Sequence, residues 1–353
     1  MIRTTKTRQG ETPRVSNTTG EDVGLVVIGR NEGERLRRCL ASVRGIPRRI
    51  YVDSGSTDGS IETALREGVE VVRLQVPPVF TAARARNAGL KRLLELNPQL
   101  RFVQMLDGDC EVQPGWLETA AQTMRADPRL GLVFGRCRER HPERSIYNAL
   151  CDDEWNVPVG DAAGCGGNAM LRIEALQQVA FYNSSMIAGE DSELSMRLRK
   201  CGWLLRRIDA EMTLHDAAMT RFGQWWRRTR RSGHGFGEMA HLHPDARNPN
   251  WPRTVLSITV WGALLPAALL VALLVACLIT PLAWIAVLLL VLPWPLKMLQ
   301  LARLQRRRGL TPAVARASGV LLMLGKFPQL LGLLGYHYDR LAGRTSTLIE
   351  YPH

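Results

Sequence analysis

Residues 254–296 hold no Asp, Glu, Lys or Arg across 43 consecutive positions, and no other feature narrows the possible folds as far. As a single helix this run would extend roughly 64 Å, about twice the hydrocarbon core of a bilayer. It breaks near Thr280-Pro281 into two stretches, 255–279 and 282–299, each long enough to span once. The connection between them is so short that the expected shape is a tight hairpin over residues 251–300. One long buried core helix, or a re-entrant pair, is the alternative, but soluble cores rarely sustain such length without charge. Lys297, Arg303, Arg306, Arg307 and Arg308 follow the second stretch. Both flanks of a hairpin lie on one side, and this basic excess assigns that side to the cytoplasm. The expected location is therefore the cell (inner) membrane, multi-pass, with the preceding domain cytoplasmic. In the basic tail, residues 301–353, a third apolar region at 317–338 is split by Lys326 and Pro328. Its pieces are too short to span and read as helices lying in the interface, with Lys326 snorkelling. A third true span is the alternative.

The formal charge of +13 admits nucleic acid, a membrane surface or a phosphorylated substrate as partner. Position decides. Seven basic and no acidic residues lie between Lys297 and Tyr338, hugging the apolar run, which favours anionic membrane lipids. No basic–aromatic interleaving of the kind an RNA-binding sheet shows is present, so no nucleic-acid partner is expected. Seven cysteines stand singly without a CxxC pair, which argues against a zinc cage or a disulfide framework. Residues 1–20 are polar and basic, without an apolar signal segment, and read as a disordered tail.

From residue 21 to about 250 the pattern is that of an α/β domain. Strand-like runs at 23–29, 49–53, 69–74 and 102–107 alternate with helical spacing at 32–44, 57–67 and 82–96, the last opened by Thr81 as N-cap. Such alternation implies right-handed βαβ crossovers and a mostly parallel sheet flanked by helices. Beyond residue 110 the pattern loosens: 116–125 and 192–200 look helical, 131–134 and 204–208 strand-like, and Gly164-Cys165-Gly166-Gly167 must be loop.

Asp107-Gly108-Asp109 ends a strongly apolar strand, where ligands of open α/β sheets bind. Two carboxylates around one glycine can hold a hard cation such as Mg²⁺ or Mn²⁺ together with substrate phosphates, and they equally make an ordinary turn. Asp53 ends a second strand and can accept hydrogen bonds from a base or ribose, while Ser56 or Asp58 can cap the following helix. Arg86 can offer its fork to a diphosphate or sit on a solvated helix face.

These blocks together resemble the family 2 glycosyltransferases of the GT-A fold. The resemblance rests on Val27-Ile28-Gly29-Arg30-Asn31-Glu32, on Asp53-Ser54-Gly55-Ser56-Thr57-Asp58-Gly59, on Ala85-Arg86-Asn87-Ala88-Gly89 and on Asp107-Gly108-Asp109, and it extends over residues 23–231. It implies an inverting transfer from a nucleotide-diphosphate sugar to a membrane-associated, lipid-linked or polysaccharide acceptor. It also implies roles for individual residues. Asn31, Glu32, Asp53, Arg86 and Asp107 would bind the donor, and Asp109 the metal. Asp191, in Gly189-Glu190-Asp191, looks like the family's general base, although an aspartate there can also cap the next helix. Gly166-Gly167-Asn168 resembles the acceptor-side loop, so Gly167, Asn168 and Glu190 are expected near the acceptor. His215 is placed like the histidine that completes the metal shell, or is structural. Gln224-Trp225-Trp226-Arg227-Arg228 partly resembles the Gln-x-x-Arg-Trp motif of processive synthases, with Gln224 toward the acceptor and Arg227 toward the diphosphate. Its final position is Arg228 rather than Trp, a departure from processive enzymes, and a basic amphipathic helix on the membrane is its other reading. Two rival functions draw on the same residues. A nucleotidyltransferase needs a Gly-rich loop that Gly29-Arg30-Asn31-Glu32 does not supply. A non-catalytic scaffold would lack the Asp109 and Asp191 carboxylates.

Overall fold

The computed structural model describes residues 21–75, 80–247 and 249–344. The expected N-terminal tail lies outside the described residues, as do the last residues of the basic tail. The chain alternates as anticipated through β1 (Val23–Gly29), α1 (Glu34–Ser42), β2 (Arg49–Asp53), α2 (Ser60–Arg66), β3 (Glu70–Arg73), α3 (Ala82–Leu96) and β4 (Phe102–Asp107). Thr81 does cap α3, its hydroxyl accepting from the Arg84 N–H. β1 and β4 are buried along almost their whole length, which is why they read as unbroken apolar runs rather than as alternating ones.

The second half follows with β5 (Cys110–Val112), α4 (Trp116–Ala126), β6 (Leu130–Glu139), α5 (Ile146–Glu154), β7 (Gly160–Asp161), β8 (Ala169–Arg172), α6 (Ile173–Gln178), α7 (Glu190–Lys200) and β9 (Leu204–His215). One sheet carries the order β3-β2-β1-β4-β8-β6-β9-β5, with β7 on β9. The expectation of a mostly parallel sheet holds for β3-β2-β1-β4 and for the β6–β9 pair. β8 runs antiparallel to both β4 and β6, and β5 antiparallel to β9, so the sheet is mixed. The reason is that the strands after β4 are not laid down as successive βαβ neighbours: β8 enters between β4 and β6 in the opposite direction. The strands expected at 131–134 and 204–208 are much longer than their apolar cores. Their outer halves pair with each other, and the ion pair Arg138–Glu211 (2.7 Å) joins charged residues distant in sequence.

α8 (Phe222–Leu242) leaves the sheet, followed by α9 (Trp251–Thr259), α10 (Leu265–Leu278), α11 (Ala283–Val291), α12 (Pro293–Arg307), α13 (Pro312–Leu324) and α14 (Lys326–Leu341). Three helical runs, Trp251–Leu278, Ala283–Arg307 and Pro312–Leu341, are long and apolar enough to cross a membrane. The first two are the expected hairpin. Leu278, Leu282, Ile285 and Leu288 stand more than half exposed on it, an apolar surface suited to lipid rather than water. In the third, Lys326 and Pro328 do not split the helix as expected. Pro328 falls in the first turn of α14, where its missing N–H costs little, and only Gly325 separates α13 from α14. This gives the third-span alternative the length that the sequence withheld. α14 packs tightly on α8: Gly332 faces the Arg230 carbonyl and Gly233 faces the backbone of Gln329. A Cβ at either glycine would collide with the opposing main chain.

Candidate active site

The C-terminal ends of β1, β2 and β4 lie side by side, which brings the turns that follow them together. The Asn31 side chain accepts from the Thr57 N–H at 2.8 Å, and its own N–H donates to Ser56 Oγ at 2.9 Å, so the first two turns are laced together. Asp53 is buried and accepts from the Gly55 and Ser56 N–H groups, each at 2.9 Å, and from the Tyr51 hydroxyl at 3.1 Å. Its first task is to fold its own turn. Asp58 accepts the Ser60 N–H at 3.1 Å, but the cap position of α2 is Gly59 and no side chain caps it, so Asp58 braces the turn ahead of the helix rather than capping it. Glu32 packs beside Gly29 and Gly108, with Arg35 2.8 Å away. Burial and the neighbouring Asp109 push its carboxyl up to about 7, against the pull of Arg35.

Asp107 and Asp109 part company at Gly108. Asp109 turns toward β9, where the register places Cys110 opposite His215. Asp109 Oδ2 lies 3.2 Å from His215 Nε2. Burial alone would raise the Asp109 carboxyl, but the His215 charge and hydrogen bond outweigh it and hold the group at about 2. Burial disfavours charge on His215 as well, yet Asp109 holds the ring well above the ordinary imidazole range. Behind the ring, Nδ1 faces Glu139 Oε2 at 3.8 Å, longer than a hydrogen bond, and Trp155 sets its edge against the ring with centroids 4.5 Å apart. Glu139 is itself fixed by the N–H groups of His141 and Ala217 and by the Asn148 amide. A carboxylate behind a histidine is the support that metal-binding histidines use. Asp109, Cys110 and His215 lie close enough together to hold one ion. The Cys110 thiol is pushed far up by burial and so stays protonated, leaving one carboxylate and one imidazole, a donor set that fits Mn²⁺ or Mg²⁺ completed by phosphate oxygens.

Asp107 turns the other way. Arg86, almost wholly buried, donates from Nη2 to Asp107 Oδ1 at 2.9 Å and from Nη1 to Glu190, and it pairs with Asp191 Oδ1 at 3.2 Å. Where a diphosphate was expected, both terminal nitrogens of the fork face carboxylates. α7 begins at Glu190 with Gly189 at the cap position, so Asp191 lies inside the first turn and its side chain is not the cap. Burial drives the Asp191 carboxyl well above the usual range; Arg86 pulls against it, and Glu190 and Asp107 add to the rise. Gly167 presses its backbone on the Arg86–Asp107 pair, where any Cβ would clash with the guanidinium. Asn168 accepts the Asp107 N–H at 2.9 Å and donates to Cys110 Sγ at 3.2 Å, so in this structure its side chain braces the Asp107–Cys110 turn. Gln224 accepts the N–H groups of Thr220 and Arg221 and so caps α8. Arg227 has a buried Nε without a hydrogen-bond partner and, among the described residues, no acidic partner.

Asp107, Asp191 and His215, with the loop 164–168, line one cleft of 920 Å³. The profile of glycosyl transferase family group 2 matches residues 102–301, more than half of the chain. The chain belongs to this family. It is 28% identical over 246 residues to the pre-mycofactocin glycosyltransferase of Mycobacterium tuberculosis, an alignment covering 66% of this chain and 51% of that protein. It is 27% identical over 187 residues to the succinoglycan biosynthesis protein ExoA of Rhizobium meliloti, covering 50% of this chain and 55% of that one. The chain thus spans about half the length of these curated relatives. Among solved structures it is similar to the mannosyltransferase PcManGT of Pyrobaculum calidifontis, determined with GDP-mannose and Mn²⁺. The TM-score is 0.58 and the identity 17%, over 90% of this chain and 88% of that one, a likeness of GT-A fold.

Glu139, Trp155 and Asn148 went unread in the sequence. Glu139 sits in the alternation Arg136-Cys137-Arg138-Glu139-Arg140, which resembles a solvated stretch. Only the β6–β9 register, which sets it opposite His215, reveals its role.

Proposed function

We propose that the protein is an inverting, metal-dependent glycosyltransferase that moves a sugar from a nucleotide-diphosphate sugar to a membrane-associated acceptor in the making of a cell-surface or lipid-linked glycan. The observation that carries this reading is the convergence of Asp107, Asp191 and His215 on one cleft, with Asp109 against His215. Asp191 takes the proton from the acceptor hydroxyl while that oxygen bonds to the anomeric carbon and the diphosphate departs from the opposite face. A raised carboxyl suits this task, because a stronger base draws the proton more readily. Arg86 orients Asp191 and keeps Asp107 in line. Asp109 and His215 Nε2 would hold Mg²⁺ or Mn²⁺, which when bound supplies positive charge to the leaving diphosphate. Arg227 stands available for the same anion. Asn31, Glu32 and Asp53 shape the wall for base and ribose, and Gly167 and Glu190 lie on the acceptor side. Mn²⁺ and GDP-mannose in the PcManGT structure support the donor class and the metal, and the names of the curated relatives support transfer into a glycan. The basic flank after α11 favours a cytoplasmic catalytic domain on the inner membrane, with all three apolar helices engaged in it.

A donor screen tests this. Protein purified in detergent is offered UDP-, GDP- and dTDP-sugars with Mg²⁺ or Mn²⁺, and nucleotide release is followed. At least one donor should be turned over, and Asp109→Ala should abolish it. Absence of turnover with every donor, or an unaffected Asp109→Ala variant, rules the reading out.

A further inference from the structure

A second cavity, of 430 Å³, lies where the catalytic domain meets the membrane helices. We infer that it binds the apolar chain of a lipid-linked acceptor, whose hydroxyl reaches the catalytic cleft past the Glu154–Arg228 pair. The inference rests on the glycosyl-transfer reading above and narrows its acceptor to the lipid-linked class.

Three observations support it. The volume falls in the range of ligand pockets, roughly 300–1,000 Å³. Leu301 and Leu304 from α12 and Leu321 and Leu322 from α13 give it an apolar wall, and Leu150, Trp225 and Phe236 from α5 and α8 add to it from the facing side. Polar groups are interspersed on both sides, Asp153, Glu154 and Arg228 on one and Gln305, Arg308 and Ser318 on the other. An amphiphile would find apolar contacts for its chain and, toward the Glu154–Arg228 end, polar ones for its head. Second, the cavity and the catalytic cleft share two lining residues, Glu154 and Arg228. These form a bidentate pair at 2.9 and 3.1 Å, and the Glu154 side chain is more than half exposed. A pair so exposed separates at little cost, so it can part without disturbing the fold. Third, Gln329 lines the cavity with a buried Oε1 that has no hydrogen-bond partner. A buried amide oxygen left unmatched marks a place for a donor group such as a hydroxyl of the ligand. A purely polysaccharide acceptor would have no use for the leucine-lined wall.

The probe is a dodecyl β-D-glucoside with a diazirine in its alkyl chain, added to the full chain in nanodiscs of phosphatidylethanolamine and phosphatidylglycerol. Adducts are mapped by mass spectrometry. We expect labelling of the cavity-facing residues of α8 and α13 at least fivefold above that of the outward Ile285 and Leu288, with excess unlabelled dodecyl glucoside competing. Leu322→Trp, at the exposed mouth, should cut cavity labelling at least tenfold; Leu301→Trp serves the same purpose should the first variant fail to fold. Nucleotide release from donor without acceptor should stay within twofold in either variant. Labelling spread evenly over all lipid-facing helices, or unchanged by both tryptophans, overturns the inference. Loss of donor turnover in the wild type instead strikes the glycosyl-transfer reading, so the two failures are told apart.

Discussion

The two carboxylates flanking Gly108 answer to different cations. Asp107 belongs to a cluster built on Arg86, with Glu190 and Asp191. Asp109 belongs to a cluster built on His215, backed by Glu139 and neighboured by Glu32. Arginine keeps its charge at any accessible pH, whereas histidine gives up its proton to a metal. One half of the site therefore carries a permanent positive charge and the other an exchangeable one. Burial pushes carboxyls up in both. Around Arg86 the crowd of three acids leaves Asp191 raised, whereas beside His215 the charge and hydrogen bond of the ring hold Asp109 at about 2. One residue of separation thus sends Asp107 to the arginine and Asp109 to the histidine.

The contrast breaks most readily at Arg86. Arg86→Ala would leave three buried acids facing one another, and removal of one partner from a buried charge cluster costs about 3–5 kcal/mol. Thermal unfolding in detergent should show a large loss, and Arg86→Lys, with one point charge for a fork, should recover only part of it. Asp191→Asn comes next. It should lower kcat by roughly 10²–10⁴ while donor affinity stays within a few-fold; a folded variant that no longer binds donor would contradict the base assignment. Its pH behaviour sharpens the point. Folding raises the Asp191 carboxyl, so the fold favours the protonated form, and the stability this gives is lost as pH rises through the folded value. Wild type should therefore lose stability relative to Asp191→Asn as pH increases, while its rate climbs over the same interval because the base must be ionised.

On the other side, Glu139→Gln should weaken Mn²⁺ binding about 10–100-fold, read by electron paramagnetic resonance titration, with little change in unfolding temperature. Equal affinity in that variant would reduce Glu139 to a brace of the 139–148 turn. The smallest effect is expected at Gln224, which touches neither cluster. Gln224→Ala should cost about 1 kcal/mol of stability through the lost α8 cap and leave kcat near wild type. A large rise in acceptor KM would restore the acceptor role the motif suggested.

The Arg86 cluster was the more legible half in the sequence. Asp107 closes an apolar strand and Arg86 lies on the helix that Thr81 caps, and both elements follow from local pattern alone. The His215 cluster was only half visible. Asp109 and His215 could be paired through the family resemblance, but Glu139 and Trp155 depend on β6 and β9 running far past their apolar cores. Charges such as Arg138 and Glu211 hide those strand ends, because each is neutralised by a partner 73 residues away. Gln224 carries a local task beside the one its motif suggested, because its side chain also closes the N-terminal end of α8. The first two apolar helices were plain from the absence of charge. The third apolar helix was obscured by Pro328, since a proline's effect depends on which turn of the helix it occupies.

The crossing of α8 and α14 at Gly233 and Gly332 has a consequence for reach. Two main chains in contact leave no slack there for a hinge, so the cleft cannot rise and fall above the apolar belt. In the proposed reaction a fixed stand-off would work as a gauge: it would admit acceptors by the distance between their anchor and their free hydroxyl, before the identity of any sugar is read.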